Sequence, residues 1–375
     1  MKAYITCIGC EQRELDTQRI IDYLRKNNVL LTPSPQQADY SLVITCAVDS
    51  SNEERSIGEI RKVTEQMQEG SKLIVGGCLP SISPEKLAPF NVYEIFSPRD
   101  LQSLDRIFNP NISILKIPSA SRSIYDQEVK RRTDLSAREK FERAKNGYKV
   151  IIASGCLGVC SYCVIREATG RLESRPLEEV LSNIIQGING GERTIMLMAG
   201  DTGSYGQDRG INFAQLLNKA VKLEGEFQIY VHDFGINWLI KDQEDYLFVF
   251  ESSKKEGKIG GITFPIQSGS DQILRRMNRR YTREETLRTF LSLKPYSFDI
   301  GTHIMIGFPE ETENNFEETL DLLQQVDFDF ITCFAYSEHP RAKSASLKDK
   351  VDRDTIEKRI ARISNAFGNK IKVMR

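Results

Sequence analysis

The sequence predicts an α/β protein: a parallel-sheet α/β domain at the N-terminus, followed by a partial (β/α)6 barrel. Three observations lead there. Short apolar runs alternate with helix-length polar segments along most of the chain, the pattern of a parallel sheet flanked by helices. A charged, Ser-rich stretch over 119–147 breaks that alternation, as a linker between two domains does. Cysteines gather just past the ends of the apolar runs, and in parallel sheets those strand ends are where ligands collect.

In the N-terminal part, Ala3–Thr6, Ser41–Thr45 and Lys72–Val75 read as strands. Glu14–Lys26 and Asn52–Met67 read as the helices between them. Asn91–Phe96 is a further strand, with a helix after Pro98. From Tyr148 six more runs follow: Tyr148–Ala153, Thr194–Ala199, Phe227–His232, Ile262–Ile266, Asp299–Ile306 and Phe330–Tyr336. The helical segments between them are Pro176–Ile188, Phe213–Leu223, Trp238–Lys254, Thr282–Leu293 and Asn314–Val326. Pro176 suits a first turn, and Thr282 with Glu285 has capping-box spacing. Six units are too few for an eight-stranded barrel, so an open, partial one is expected. Ile356, Ile360, Ile363 and Phe367 recur at helical spacing and predict a final amphipathic helix. The expected divisions are 1–118, a linker over 119–147, the barrel over 148–342, and a C-terminal helix over 343–375.

The chain has 375 residues, 27% charged, with a formal net charge of −1. A protein built around an RNA backbone is more often basic, so this balance argues against a large nucleic-acid footprint. No apolar run reaches the roughly 18 residues of a membrane span, and the N-terminus lacks a signal-peptide core; a cytoplasmic location is expected. In a reducing compartment, clustered cysteines point to metal or redox chemistry rather than disulfides.

Cys156, Cys160 and Cys163 form C-x3-C-x2-C directly after the apolar run that begins at Tyr148. Thiolates suit zinc, copper or iron–sulfur centres. A structural zinc site takes four ligands, and no fourth cysteine or histidine is near. Three thiolates on a four-iron cluster leave one iron open. The loop, with Tyr162 before its last cysteine, resembles that of the radical S-adenosylmethionine (SAM) superfamily. That resemblance implies a [4Fe–4S] cluster whose open iron chelates SAM and releases a 5′-deoxyadenosyl radical.

Cys10, Cys46 and Cys78 each end a short apolar run: AYITCIGC, SLVITC and KLIVGGC. In a parallel sheet those ends share one edge, which brings the thiols towards one another; three small buried residues are the simpler alternative. The segments GCEQRELD, TCAVDSSNEERS and GGCLPS resemble the N-terminal domain of the methylthiotransferases. The resemblance implies that Cys10, Cys46 and Cys78 hold an auxiliary [4Fe–4S] cluster that carries the delivered sulfur. Cys7 is read as a strand residue, with an alternative ligand or redox partner as the other readings, and Cys333 as core.

The likeness continues through ATGRLESRP (168–176), MAGDTGSYGQD (198–208), FPIQSGSDQILRRMNRRYTREE (264–285) and HIMIGFPEETENNFEETL (303–320). It implies SAM contacts by Tyr162, Asp201, Thr202, Gln267 and Ser268. Arg275, Arg276, Arg279 and Arg280 form a basic cluster, read as a solvated face or a set of salt-bridge donors, with an anionic substrate as the rival reading. His232 is given no role.

The expected reaction is insertion of a methylthio group at an unactivated C–H bond, with one SAM as methyl donor and a second as radical source. The family's tRNA-modifying members usually continue into an RNA-binding TRAM domain, which the sequence does not contain. For that reason a small molecule or peptide is expected as substrate, with flavodoxin or ferredoxin as electron donor. Methylthiolation of a tRNA adenosine, or an auxiliary cluster that only conducts electrons, are the alternatives.

Overall fold

The computed structural model describes residues 1–122, 136–145 and 147–374. Residues 123–135 and 146 of the expected linker, including the basic run Lys130–Arg132, lie outside them. The chain divides into two compact units: Met1–Gln127 with Ser154–Cys156 and Cys163–Arg171, and Glu128–Ala153 with Leu157–Tyr162 and Leu172–Arg375.

The first unit is built on a parallel sheet in the order Leu30–Leu31, Lys2–Cys7, Tyr40–Thr45, Lys72–Gly77, Val92–Phe96. Each long strand carries β-branched or aliphatic residues on both faces, as a sheet covered by helices requires. Helix Glu11–Lys26 and the chain around 101–117 close one face over Ile20, Tyr23, Leu24, Leu42, Ile44, Ile74 and Phe108. Helix Ser50–Gln66 starts at Asp49, whose side chain accepts from the Asn52 amide, and buries Ile60 and Val63. Gly77 ends its strand at φ +97°, where a Cβ would stand 2.3 Å from the Thr45 carbonyl oxygen. Only glycine fits there, and the turn it permits delivers Cys78.

In the second unit the parallel strands follow sequence order: Tyr148–Ile151, Thr194–Met198, Gln228–Val231, Ile259–Gln267, Asp299–Ile306 and Phe330–Ala335. This is the singly wound order of an open barrel. The capping box of Thr282 and Glu285 is formed, and it starts the helix Arg283–Leu293. Such a cap contributes about 1 kcal/mol.

Two differences from the sequence reading have physical causes. Trp238–Lys254 is two helices, Ile236–Lys241 and Gln243–Lys254, which break at Asp242 (φ −115°, ψ 38°). The C-terminal segment is not a helix alone. Helix Arg353–Phe367 turns at Gly368 into a strand, Ile371–Met374, which pairs parallel to Phe330–Ala335. Four residues, IKVM, with a single basic one, are too few for a period to show. Among the described residues, no helix is long and apolar enough to cross a membrane.

Candidate functional site: two cysteine sets

In the first unit, three cysteines stand at the C-terminal edge of the sheet. Cys10 follows the first strand and is the N-cap of helix Glu11–Lys26. Cys46 follows Tyr40–Thr45; its amide donates to Ser56 Oγ (3.0 Å), and that hydroxyl donates back to the Cys46 carbonyl (2.8 Å). Cys78 follows Gly77, and its amide donates to the Thr45 carbonyl at 3.0 Å. Cys10 is exposed, while Cys46 and Cys78 are buried.

The three thiols are close enough to act on one another electrostatically. Burial, reinforced by Cys10 and Cys78, pushes the Cys46 thiol up to about 12. Burial pushes Cys78 up to about 11, with Arg13 opposing and Cys10 and Cys163 adding to the rise. Such thiols are poor nucleophiles on their own. They become thiolates when a metal centre supplies the compensating charge. Among the described residues, no three His, Cys, Asp or Glu groups are arranged to hold a single metal ion. A cubane binds each thiolate to a different iron, so its ligands stand farther apart than those of one ion. The donor set, all thiol and edged by a cation, fits an iron–sulfur cluster better than a hard metal.

Cys7 packs against the apolar core that holds Leu42 and Ile44. Burial pushes its thiol up to about 12, opposed by a hydrogen bond with Thr17. Cys333 is fully buried in its strand, in keeping with a core residue.

The C-x3-C-x2-C loop is fastened along its length. Gly155 takes φ +71°, with the Arg171 carbonyl oxygen 2.0 Å from where a Cβ would lie, and the Cys156 amide donates to the Gly170 carbonyl at 3.2 Å. Further on, the Ser161 amide donates to Met277 O (3.1 Å), Ser161 Oγ donates to Arg276 O (2.7 Å), and Asn278 Nδ2 donates to Val159 O (2.9 Å). The segment RRMNRR therefore holds the middle of the loop by its backbone. Arg279 completes this: its Nη1 lies 3.4 Å from Cys160 Sγ and its Nε 2.9 Å from Tyr281 Oη. Its pKa is driven well above the usual value, against the cost of desolvation, by the neighbouring Tyr281, Tyr162 and Cys160. The basic cluster is thus not one solvated face. Arg276 pairs with Glu310 at 2.6 Å, while Arg279 turns inward onto a thiol.

The five residues expected near SAM divide into two kinds. Asp201 is occupied by the protein: its carboxylate accepts from Trp238 Nε1 (2.7 Å) and the Gly235 amide (2.9 Å). Burial raises its pKa against those bonds. Ser268 Oγ is held by Thr319 Oγ1 at 3.2 Å and receives the Ser270 amide. Tyr162 packs edge-on against Phe308, with Ile273 and Met277 nearby. Thr202 Oγ1 and Gln267 Oε1, in contrast, are buried without a hydrogen-bond partner among the described residues. Gln267 also sits at φ +68°, a conformation that costs a non-glycine residue energy. The sequence reading overlooked Arg13 and assigned Arg279 to a surface. The only hint was position: Arg13 lies one helical turn after Cys10.

His232 and His303 both bring Nδ1 to Asp233, at 2.9 and 3.3 Å, and hold its carboxyl well below the usual range against its burial. His232 Nε2 is buried without a hydrogen-bond partner among the described residues.

Residues 150–323 match the radical SAM superfamily, and residues 2–96 match the family described as UPF0004. A probable threonylcarbamoyladenosine tRNA methylthiotransferase of Methanocaldococcus jannaschii is 30% identical, over 93% of this chain and 78% of its own. A tRNA-2-methylthio-N(6)-dimethylallyladenosine synthase of Thermotoga petrophila is 28% identical, over 97% of this chain and 80% of its own. Among solved structures, the radical SAM methyltransferase TsrM of Kitasatospora setae superposes with a TM-score of 0.60 at 14% identity, covering 92% of this chain and 76% of that one. The expectation that tRNA is the less favoured substrate is thereby corrected, since these relatives are named for tRNA modification. Global charge misled because a net value of −1 says nothing of where the basic residues lie. The chain belongs to the radical SAM methylthiotransferases, enzymes that work with SAM and two [4Fe–4S] clusters.

Proposed function

We propose that the protein methylthiolates an N6-modified adenosine of tRNA, acting in the cytoplasm. The likeness to tRNA methylthiotransferases over 93% or more of the chain carries this reading. On it, Cys156, Cys160 and Cys163 are the ligands of the SAM-binding cluster, and Cys10, Cys46 and Cys78 those of the auxiliary one. When bound, these groups supply the electron, the radical and the methylthio group. The chain's own residues hold, charge and shield. Ser161 and Asn278 fix the backbone of the cysteine loop, and Arg279 places a permanent positive charge beside the Cys160 sulfur. Thr202 Oγ1 and Gln267 Oε1 are the hydrogen-bonding atoms left for SAM. Asp201, Ser268 and Tyr162 shape that site from behind.

The test has two arms. Nucleosides from tRNA of a deletion strain should lose a methylthio-adenosine species, and plasmid-borne enzyme should restore it. Anaerobic incubation of reconstituted enzyme with that tRNA and methyl-labelled SAM should put label into the same nucleoside. An unchanged nucleoside profile together with unlabelled tRNA would refute the assignment.

A further inference from the structure

Arg13 lies in the first turn after Cys10, on helix Glu11–Lys26, and is only 5% exposed. Its Nη2 pairs with Asp16 at 3.0 Å, while Nη1 is buried with no hydrogen-bond partner among the described residues. An arginine stays charged at any working pH, and a buried guanidinium with an unused N–H is costly unless an anion meets it. The surroundings say what that anion is. Cys7, Cys10 and Cys78 all lie within electrostatic reach of the guanidinium, and Asp16 is the carboxylate acting on it most strongly. Gly9 makes the close approach feasible: a Cβ there would stand 2.5 Å from Arg13 Cβ and 3.3 Å from Cys7 Sγ. One carboxylate neutralises one charge, so the free N–H is left over for something that arrives with the cysteine ligands deprotonated.

We propose that Arg13 is an anion-binding residue of the auxiliary cluster, its free N–H serving an anionic sulfur ligand, sulfide or methanethiolate, at the iron the three cysteines leave open. This rests on the assignment of Cys10, Cys46 and Cys78 to that cluster. A fixed positive charge beside a cluster favours its more negative forms. Arg13 therefore raises the reduction potential and tightens the binding of a thiolate. Asp16 works in the opposite direction and sets how much of the charge the cluster feels.

The experiment uses the full chain with Cys156, Cys160 and Cys163 all changed to Ala, so that one cluster remains, reconstituted anaerobically. The reduction potential is read by an EPR-monitored redox titration, and methanethiol is the ligand probe, its binding read from the change in the EPR signal. Arg13→Gln should lower the potential and weaken methanethiolate binding by about tenfold or more, the worth of one charge-assisted hydrogen bond. Arg13→Lys should restore part of both. Asp16→Asn should move the potential the other way, which a merely structural role for the pair does not predict. Should Arg13→Gln fail to fold, Arg13→Lys decides in its place: its methanethiolate affinity should fall below that of the parent, and an unchanged affinity overturns the inference. An Asp16→Asn cluster with an unchanged or lowered potential overturns the inference, as does an Arg13→Gln cluster of full iron content with unchanged potential and affinity. Absence of iron from the parent triple variant overturns the cluster assignment itself, and the inference with it.

Discussion

Replacing Arg359 by Met should destabilise the barrel unit in a way that grows with pH. Arg359 Nη1 lies 2.9 Å from Glu311 Oε2 and 3.1 Å from the Glu311 carbonyl oxygen, with the two side chains 6% and 0% exposed. The Gly307 amide also donates to Glu311 Oε2 at 2.8 Å, and Oε1 has no hydrogen-bond partner among the described residues. Burial pushes the Glu311 carboxyl from 4.5 up to about 7, against the pull of the Gly307 amide and Arg359. A carboxyl raised on folding contributes stability that is full below its unfolded pKa and is lost as pH rises through the folded one. In the native protein that loss therefore falls between about pH 4.5 and 7, and amounts to roughly 3 kcal/mol. Methionine keeps an unbranched apolar stem but removes the guanidinium that lies over the Phe316 ring, and with it the charge. The folded pKa of Glu311 then climbs further, so stability keeps falling above pH 7, where the native curve is flat. Breaking a buried pair from one side costs about 3–5 kcal/mol, or roughly 6–20 °C in Tm for a unit of this size. Denaturant melts of Arg359→Met, Glu311→Gln and the double variant at pH 5.5 and 8.5 test this as a cycle. A loss from Arg359→Met that is equal at both pH values, or that persists in full in the Glu311→Gln background, would refute the reasoning.

Three further outcomes are expected. Changing Cys10, Cys46 or Cys78 singly to Ala should remove roughly half the iron and sulfide; SAM cleavage should persist while methylthio transfer is lost, whereas Cys7→Ala should keep full iron. Asp201→Asn keeps an acceptor for one of the Trp238 and Gly235 donors and sets an amide donor against the other, so denaturant melts should record a loss of about 1–3 kcal/mol, with little change in SAM affinity by calorimetry. Arg279→Met should cut SAM cleavage at least about tenfold and Arg279→Lys less so, because lysine places the charge without the fork that spans Tyr281 and Cys160.

Strand ends were the legible part of this protein. A run such as SLVIT has one plausible conformation in an α/β chain, and the residue after it must emerge at the ligand edge, so Cys10, Cys46 and Cys78 could be grouped by their positions alone. Short edge strands were not legible: Leu30–Leu31 and Ile371–Met374 carry too few residues for a period to show. The arginines failed for a different reason. RRMNRR has the composition of a solvated face, and nothing local distinguishes Arg276, which reaches Glu310, from Arg279, which reaches Cys160.

That distinction is made at a distance, by the strand Ile259–Gln267 and the loop at Cys160, and it explains why the cysteine motifs look self-sufficient in sequence when they are not. Three thiolates brought to one metal centre repel one another, and each has to be taken out of water. On the proposed assignment, the fold brings a cation to each set from elsewhere: Arg13, which opposes the rise of the Cys78 thiol, from the next helical turn, and Arg279, 3.4 Å from Cys160 Sγ, from more than a hundred residues away. Both are withdrawn from bulk solvent, Arg13 fully and Arg279 in part. A cysteine spacing therefore identifies where a cluster can be held, while the cation beside it determines how readily the thiols give up their protons and how much negative charge the assembled site will tolerate.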